Sequence, residues 1–321
     1  MTSDAHGRID TRDRVDTQGR IGILGILGTP WQAVPPLEAL APWVTDIGAT
    51  SSLDVERGTG RSSFMGHVPD SATKLVFRLP AEGPGYGGDW LVLGPRTRAS
   101  YFVGGKRLHG CLQLRIRPGA ARPLLGVPAR DLVGRVVPLA QLPGPAGRAL
   151  ARGLADTEPE PASVLRYLAE ELPHRLTPAT PAERARDALL RAAVAGLSAR
   201  AEAGAGAAPG AGAASGPSQA RVAEVAHRLA ISERQLRNLF TDAVGISPKH
   251  HARIDRIRQV LLRAPQGSTP DWARLAGATG YYDQSHMGAE FRALMGVAPT
   301  AYVAGRLPAG TPCQASRRNK K

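Results

Sequence analysis

The chain is short of cysteine, of aromatic rings and of long apolar runs. Its two cysteines, Cys111 and Cys313, stand in unrelated contexts. Neither a disulfide framework nor a cysteine-based zinc site can be built from them. Aromatic residues make up 5% of the 321 positions, so cores have to close with small and aliphatic side chains. No apolar stretch approaches the ~18 residues of a membrane-spanning helix. Met1 to Arg20 is polar and of mixed charge, unlike a secretory leader, so the expected location is the cytoplasm, with no membrane partner. His67, His109 and His174 are scattered, without the closely spaced His and Glu of a cupin-like metal centre. The glycines of Ile21-Gly-Ile-Leu-Gly-Ile-Leu-Gly28 lack the preceding strand and the Lys-Ser/Thr of a phosphate-binding loop. No metal, no cofactor and no enzyme activity are expected.

What is abundant is positive charge. The formal net charge is +14, which draws a protein to polyanions. The excess is uneven: residues 218–321 hold 16 Lys and Arg against 7 Asp and Glu. A basic surface can also serve solubility alone, so charge by itself does not name a partner.

The pattern along the chain divides it. Residues 1–20 lack apolar periodicity and read as disordered. Residues 21–200 read as a β-rich sensor or interaction domain with trailing helices. Short apolar runs such as Lys74-Leu-Val-Phe-Arg-Leu79 and Trp90-Leu-Val-Leu93 are broken by Gly and Pro, and Leu112-Gln-Leu-Arg-Ile-Arg117 alternates as a half-buried strand should. Trp31, Trp43 and Trp90 read as core, and residues 83–88 as a glycine-rich loop. From Ala162 the period turns helical, with Leu189, Leu190, Ala193 and Leu197 on one face. Residues 201–217, almost wholly Ala, Gly, Pro and Ser, read as a linker, and residues 306–321 as a basic tail. The fold class expected is α+β: a β-rich N-terminal domain plus an all-α C-terminal domain with two helix-turn-helix units.

Residues 218–305 carry that second domain. Ser218 can cap a helix bearing Val222, Val225, Ala226 and Leu229, and Ser232 with Gln235 makes a capping box for a second helix that buries Leu236, Leu239 and Phe240. Two short helices across a tight turn make a helix-turn-helix. Ser247-Pro248 then opens a long helix with Ile254, Ile257 and Leu261 on one face and Arg253, Arg256 and Arg258 on the other. The pattern repeats: Thr269-Pro270 can cap a helix with Trp272, Leu275 and Ala276, and Asp283 caps Gln284 to Met295. Each unit closes on Gly-x-x-Pro, at Gly245-Ile-Ser-Pro248 and Gly296-Val-Ala-Pro299.

These stretches, with Gly280-Tyr-Tyr-Asp-Gln-Ser-His286 and Glu290-Phe-Arg292, resemble the DNA-binding domain of the AraC/XylS family of regulators. The resemblance implies two recognition helices in successive major-groove segments of double-stranded DNA. The reading positions it implies fall on Arg234, Arg237 and Asn238 in the first helix, and on Gln284, Ser285, His286 and Ala289 in the second. Arg pairs with guanine O6/N7, and Asn with adenine N6/N7. Lys249, Arg253, Arg256 and Arg258 are candidates for phosphate contact, with the position of Arg256 structural in some relatives. The chain departs from the family at Asn238 and Ala289, where a basic residue is common. Gly288 weakens its helix by about 1 kcal/mol relative to Ala, so the second helix is expected to read less sequence than the first.

Residues 21–172 resemble a poorly characterised domain found beside some of these modules, through His67-Val-Pro-Asp70, Leu93-Gly-Pro-Arg-Thr97 and the stretch from Ile116 to Leu139. The family implies, as further partners, RNA polymerase, a small-molecule effector and a second copy of the chain. Two rivals stand against a transcription regulator. An enzyme fused to a DNA module, of the base-repair kind, would need a nucleophilic Cys in a metal cluster, and Cys111 stands alone in a strand-like run. A non-specific polyanion binder would hold any DNA equally.

Overall fold

The computed structural model describes residues 32–34, 38–50, 53–54, 64–80, 88–103, 107–174, 180–198, 217–264 and 270–312. The expected disordered start, the glycines of 21–28, Trp31, residues 83–87, the linker up to residue 216, Thr269 and the tail from residue 313 lie outside them.

The first region is built on a sheet. Strands β1 (Gln32–Val34), β2 (Val44–Thr50), β8 (Arg107–Ile116), β5 (Lys74–Pro80), β6 (Asp89–Leu93) and β9 (Val136–Pro138) run side by side in that order, with β3 (Leu53–Asp54) also on β8. All these pairings are antiparallel. A smaller sheet holds β10 (Thr311–Pro312), β7 (Ser100–Val103) and β4 (Phe64–His67). Side chains alternate across a strand, and here both faces are covered. Leu75, Phe77, Leu112, Leu114 and Ile116 point into one apolar core. That core is closed by helices α1 (Ala121–Leu125), α2 (Pro145–Ala155) and α3 (Pro161–His174), which add Leu124, Leu150, Val164 and Leu168. Trp43 and Trp90 belong to it, as expected. On the opposite face Lys74, Val76, Gln113 and Cys111 are buried as well.

The second region is helical. Helix α4 (Pro181–Ser198) is followed by α5 (Pro217–Arg228), α6 (Glu233–Ala243), α7 (Pro248–Arg263), α8 (Trp272–Ala278), α9 (Gln284–Met295) and α10 (Pro299–Val303). Leu190, Ala193 and Leu197 of α4 share one core with Val222, Val225, Leu236, Phe240 and Ile254. The apolar face of α4 therefore packs on the helices that follow residues 201–217. Arg221 donates to the carbonyl of Gly196 and ties α5 to α4. Trp272, Leu275, Met287, Phe291 and Leu294 form another core with Ile257 and Val260 of α7.

Two caps differ from expectation. Helix α5 already includes Pro217, so Ser218 stands inside it. The cap of α8 is Asp271, whose side chain accepts the backbone N–H of Arg274 at 3.0 Å. Asp is as good an N-cap as Thr, and it sits one residue before the helix.

The two regions touch at several points. Gly119 N–H donates to Ala243 O at 3.2 Å, Ala99 N–H to Leu294 O at 2.8 Å, and the Tyr101 hydroxyl to Met295 O at 2.7 Å. Gly245 lies against the backbone of Ala129 at φ +89°, where an added Cβ would meet the Ala129 carbonyl carbon at 2.8 Å. A side chain there would be both strained and without room.

Candidate nucleic-acid interface

The turn between α5 and α6 sets the first unit. Ser232 Oγ accepts the Gln235 N–H at 3.2 Å, and Gln235 Oε1 accepts the Ser232 N–H at 2.8 Å. This reciprocal pair satisfies two of the donors a helix start leaves open. Leu236, Leu239 and Phe240 turn inward. Arg234, Arg237 and Asn238 consequently face solvent on the first turns of α6. At the other end of this helix Asp242 takes Arg130 at 2.8 Å and Arg186 at 3.3 Å.

The second unit repeats the arrangement. Asp283 Oδ1 accepts the His286 N–H at 2.7 Å. Gln284, Ser285 and Ala289 are exposed, and His286 is half-buried with its ring edge-on to Tyr281 at 5.4 Å. Gly288 meets nothing within 4 Å of an added Cβ, so nothing in the packing requires a glycine there. Lys249, next to the Ser247 cap of α7, is exposed.

The basic face of α7 differs from the expected row of phosphate contacts. Arg256 is buried, and its Nη2 sits 2.7 Å from Glu290 Oε1. Its guanidinium also stacks over the Tyr281 ring, 4.9 Å from the centroid. The Tyr281 hydroxyl donates to the same carboxylate at 2.8 Å, and Arg253 Nε donates to its other oxygen at 2.9 Å. Burial would raise the pKa of Glu290, but Arg256 and these hydrogen bonds hold it below the ordinary value. The network locks α9 to α7. Arg258 turns the other way, toward the sheet, where its guanidinium stands 3.4 Å from Asp70. Arg256 and Arg258 are therefore held in internal ion pairs rather than offered to phosphates, Arg256 in the structural role the resemblance allowed for its position. A basic helix face shows amphipathicity, and what packs on it decides whether the charges meet water. Arg253 is held by Glu290 but keeps 28% of its side chain exposed.

Sequence reasoning missed Glu290 and Asp70. Glu290 carried a signal: it lies three residues after Met287 and four before Leu294, on the buried stripe of α9, where an unpaired carboxylate is costly. Asp70 carried none. Its carboxylate collects Lys74 at 2.6 Å, Arg115 at 2.8 Å and Arg258 at 3.4 Å, and accepts the Ala72 N–H at 3.0 Å. Burial pushes its pKa up, yet Arg115, Arg258 and Lys74 together hold it well below the usual carboxylate range.

Beside this cluster, on α7, lies His251. It is 6% exposed, edge-on to Phe240, and neither ring nitrogen has a hydrogen-bond partner among the described residues. Burial, helped by Arg115 and opposed by Asp70, pulls its pKa down to about 4. The unfolded chain takes up this proton near pH 6.5. Between pH 6.5 and 4 the unfolded state thus binds a proton that the folded state refuses, so stability falls as the pH falls. The loss expected across that window is about 3 kcal/mol. Urea unfolding at pH 7 and pH 4.5 measures it, and His251→Leu should flatten the profile. An equal loss in parent and variant would show that the drop comes from other groups.

Among the described residues no cluster of His, Cys, Asp and Glu suits a metal ion, and no helix is long and apolar enough to cross a membrane. Cys111 is buried in β8. Residues 225–305 match the family model described as a helix-turn-helix domain. No curated protein matches the chain. Among solved structures, it is similar to ToxT from Vibrio cholerae O395 at a TM-score of 0.36 and 9% identity, over 82% of this chain and 98% of that one. A further crystal form of ToxT from Vibrio cholerae gives 0.33 at 11% identity, over 84% and 100%. ToxT from strain SCE256, described as bound to an unsaturated fatty acid, gives 0.33 at 11%, over 79% and 100%.

Proposed function

We propose that the chain is a DNA-binding transcription regulator whose helix-turn-helix domain, residues 225–305, is of the AraC type, and that it reads its site as follows. The first turns of α6 and α9 enter the major groove of double-stranded DNA. Arg234 and Arg237 take guanines, Asn238 an adenine, and Gln284, Ser285 and His286 the second segment. Lys249 and the exposed edge of Arg253 hold phosphates, which set register without reading sequence. The observation that carries this is the exposure of Arg234, Arg237, Asn238, Gln284 and Ser285 on two capped helices, while Arg256 and Arg258 of the intervening helix are taken up by internal ion pairs.

The sheet-rich region, with its helices up to residue 174, is the part that receives a small-molecule effector and passes its state through the contacts with the reader. We include RNA polymerase and a second copy of the chain as partners at the promoter, in the cytoplasm, and assign no catalysis.

The test is selection of bound fragments from a genomic library at about physiological salt, with the parent and an Arg234→Ala/Arg237→Ala variant. Each bidentate Arg–guanine pair is worth ~1–3 kcal/mol of discrimination. The double variant should therefore bind its preferred motif roughly 30-fold to about 20,000-fold less tightly. Equal recovery of every fragment by both proteins would instead leave a non-specific polyanion binder.

A further inference from the structure

The turns of the two helix-turn-helix units correspond residue for residue except at one place. Ahead of the second helix of each unit, Ala230 and Gly280 both take left-handed backbone angles, φ 54° and 77°. The next residue donates its N–H back to the preceding helix, Ile231 to Ala226 O at 3.0 Å and Tyr281 to Ala276 O at 2.9 Å. In the first unit the cap, Ser232, follows at once. In the second unit Tyr282 intervenes before the cap, Asp283. Past the caps the correspondence resumes, Leu236 with Met287 and Phe240 with Phe291. Tyr282 is therefore an inserted residue, and the first turn has nothing in its place.

The core takes Tyr281, whose ring lies under the Arg256 guanidinium, and leaves Tyr282 79% exposed. A single exposed aromatic means little by itself, so its position decides. Tyr282 stands just ahead of Gln284 and Ser285, both exposed on the first turn of α9. A helix with its side chains is ~10–12 Å across, and the major groove is ~12 Å wide. With α9 in the groove, the helix itself covers the base edges, and a residue ahead of it meets the wall, which is phosphate. A phenolic O–H can donate to a phosphate oxygen. Its neighbour Asp283 is an anion spent on the His286 N–H, so the hydroxyl is the donor this turn offers. The second unit also has the greater need of an anchor. The first presents Arg234 and Arg237, whereas Gly288 and Ala289 bring no polar side-chain atom to the second.

We propose that Tyr282 anchors the second unit to the DNA backbone: its hydroxyl donates to a phosphate beside the first turn of α9 and fixes that helix in the groove. The proposal rests on the DNA-reading function above and deepens it, since it assigns the second unit a hold that does not depend on reading bases. Two consequences separate this contact from the others. A neutral donor neutralises no phosphate, so unlike Lys249 it adds affinity without adding to the salt dependence. A phosphate carries no sequence information, so unlike Gln284 it adds the same affinity at every site.

The experiment is binding of the full chain to a labelled duplex of the selected motif, and to duplexes each changed at one base pair of it, between about 50 and 200 mM salt. The parent is compared with Tyr282→Phe, Tyr282→Ala and Lys249→Ala. Tyr282→Phe removes one oxygen and keeps the ring, and should lose about tenfold or more in affinity, by the same factor on every duplex. Tyr282→Ala should lose at least as much. The slope of log affinity against log salt should match the parent in both Tyr282 variants and weaken by about 0.9 in Lys249→Ala. Thermal unfolding should not change, because the side chain stands in water. Tyr282→Phe that binds like the parent overturns the proposal, and a loss seen only in Tyr282→Ala would put the ring rather than the hydroxyl on the DNA. A loss confined to one base pair overturns it in favour of base reading. A parent that holds every duplex equally fails the sequence-specific reading instead, and the comparison with Tyr282→Phe still decides the phosphate contact.

Discussion

Asp70→Asn is expected to destabilise the fold by about 3–5 kcal/mol, the cost of breaking a buried ion pair by removing one partner. The side chain keeps its shape but loses the charge that holds Lys74, Arg115 and Arg258. Three cations would then share the space without the buried carboxylate on which they converge. Native stability is commonly about 5–15 kcal/mol, so the loss is a large part of the whole. Urea unfolding at neutral pH reads it directly. Arg258→Leu added to Asp70→Asn should restore part of the loss, because it removes one stranded cation, and a double variant no better than the single one would place Arg258 outside the cluster. The pH behaviour follows from the lowered pKa of Asp70. Its contribution is complete above the unfolded value of ~3.9 and fades as the pH drops through the folded value below it. A substitution that cost under ~1 kcal/mol, as exposed pairs do, would mean that water reaches the cluster.

Glu290→Gln is expected to have a comparable effect, about 3–5 kcal/mol, confined to the second helix-turn-helix unit. Four bonds converge on this carboxylate: two from Arg256, one from Arg253 and one from the Tyr281 hydroxyl. With the charge gone, Arg256 stays buried without its carboxylate, and α9 loses its ionic tie to α7. Protection of DNA from cleavage should then shrink to the segment read by α6. The paired change Arg256→Met/Glu290→Leu separates charge from shape. Replacing a buried ion pair by apolar side chains of similar volume is often neutral or better, so the double variant should approach the parent in stability. Full stability of Glu290→Gln, or loss of protection by α6 rather than α9, would contradict the assignment.

Local signals were legible in the residues. The caps at Ser232, Ser247 and Asp283 appear where the sequence places them, because a cap is an interaction within three or four residues. The alternation of β8 and the inward faces of α6 and α9 follow from periodicity alone. The exposure of Arg234, Arg237, Gln284 and Ser285 follows from the same periodicity read on its polar side. What depends on distant partners was not legible. Arg253, Arg256 and Arg258 look alike as neighbours on a helix, yet one stays partly in water, one is buried against α9, and one meets a carboxylate 188 positions earlier in the chain. The burial of Gln113 could not be foreseen either. Its position in an alternating strand suggested a water-facing side chain, and only the covering of the second face of the sheet buries it.

The small sheet has a consequence for synthesis. Thr311 and Pro312 lie beside Phe102 and Val103, so one strand waits for another that is synthesised much later. Roughly 200 residues separate the two, which at ~5–20 residues per second is about 10–40 seconds of translation. During that interval the edge of β7 is uncapped on one side, the kind of open edge to which stray strands pair. The DNA reader is made within the same interval. The final hydrogen bonds of the sheet therefore close only once the helix-turn-helix units have emerged, and a ribosome stalled inside them would hold a nascent chain whose small sheet is still unsealed.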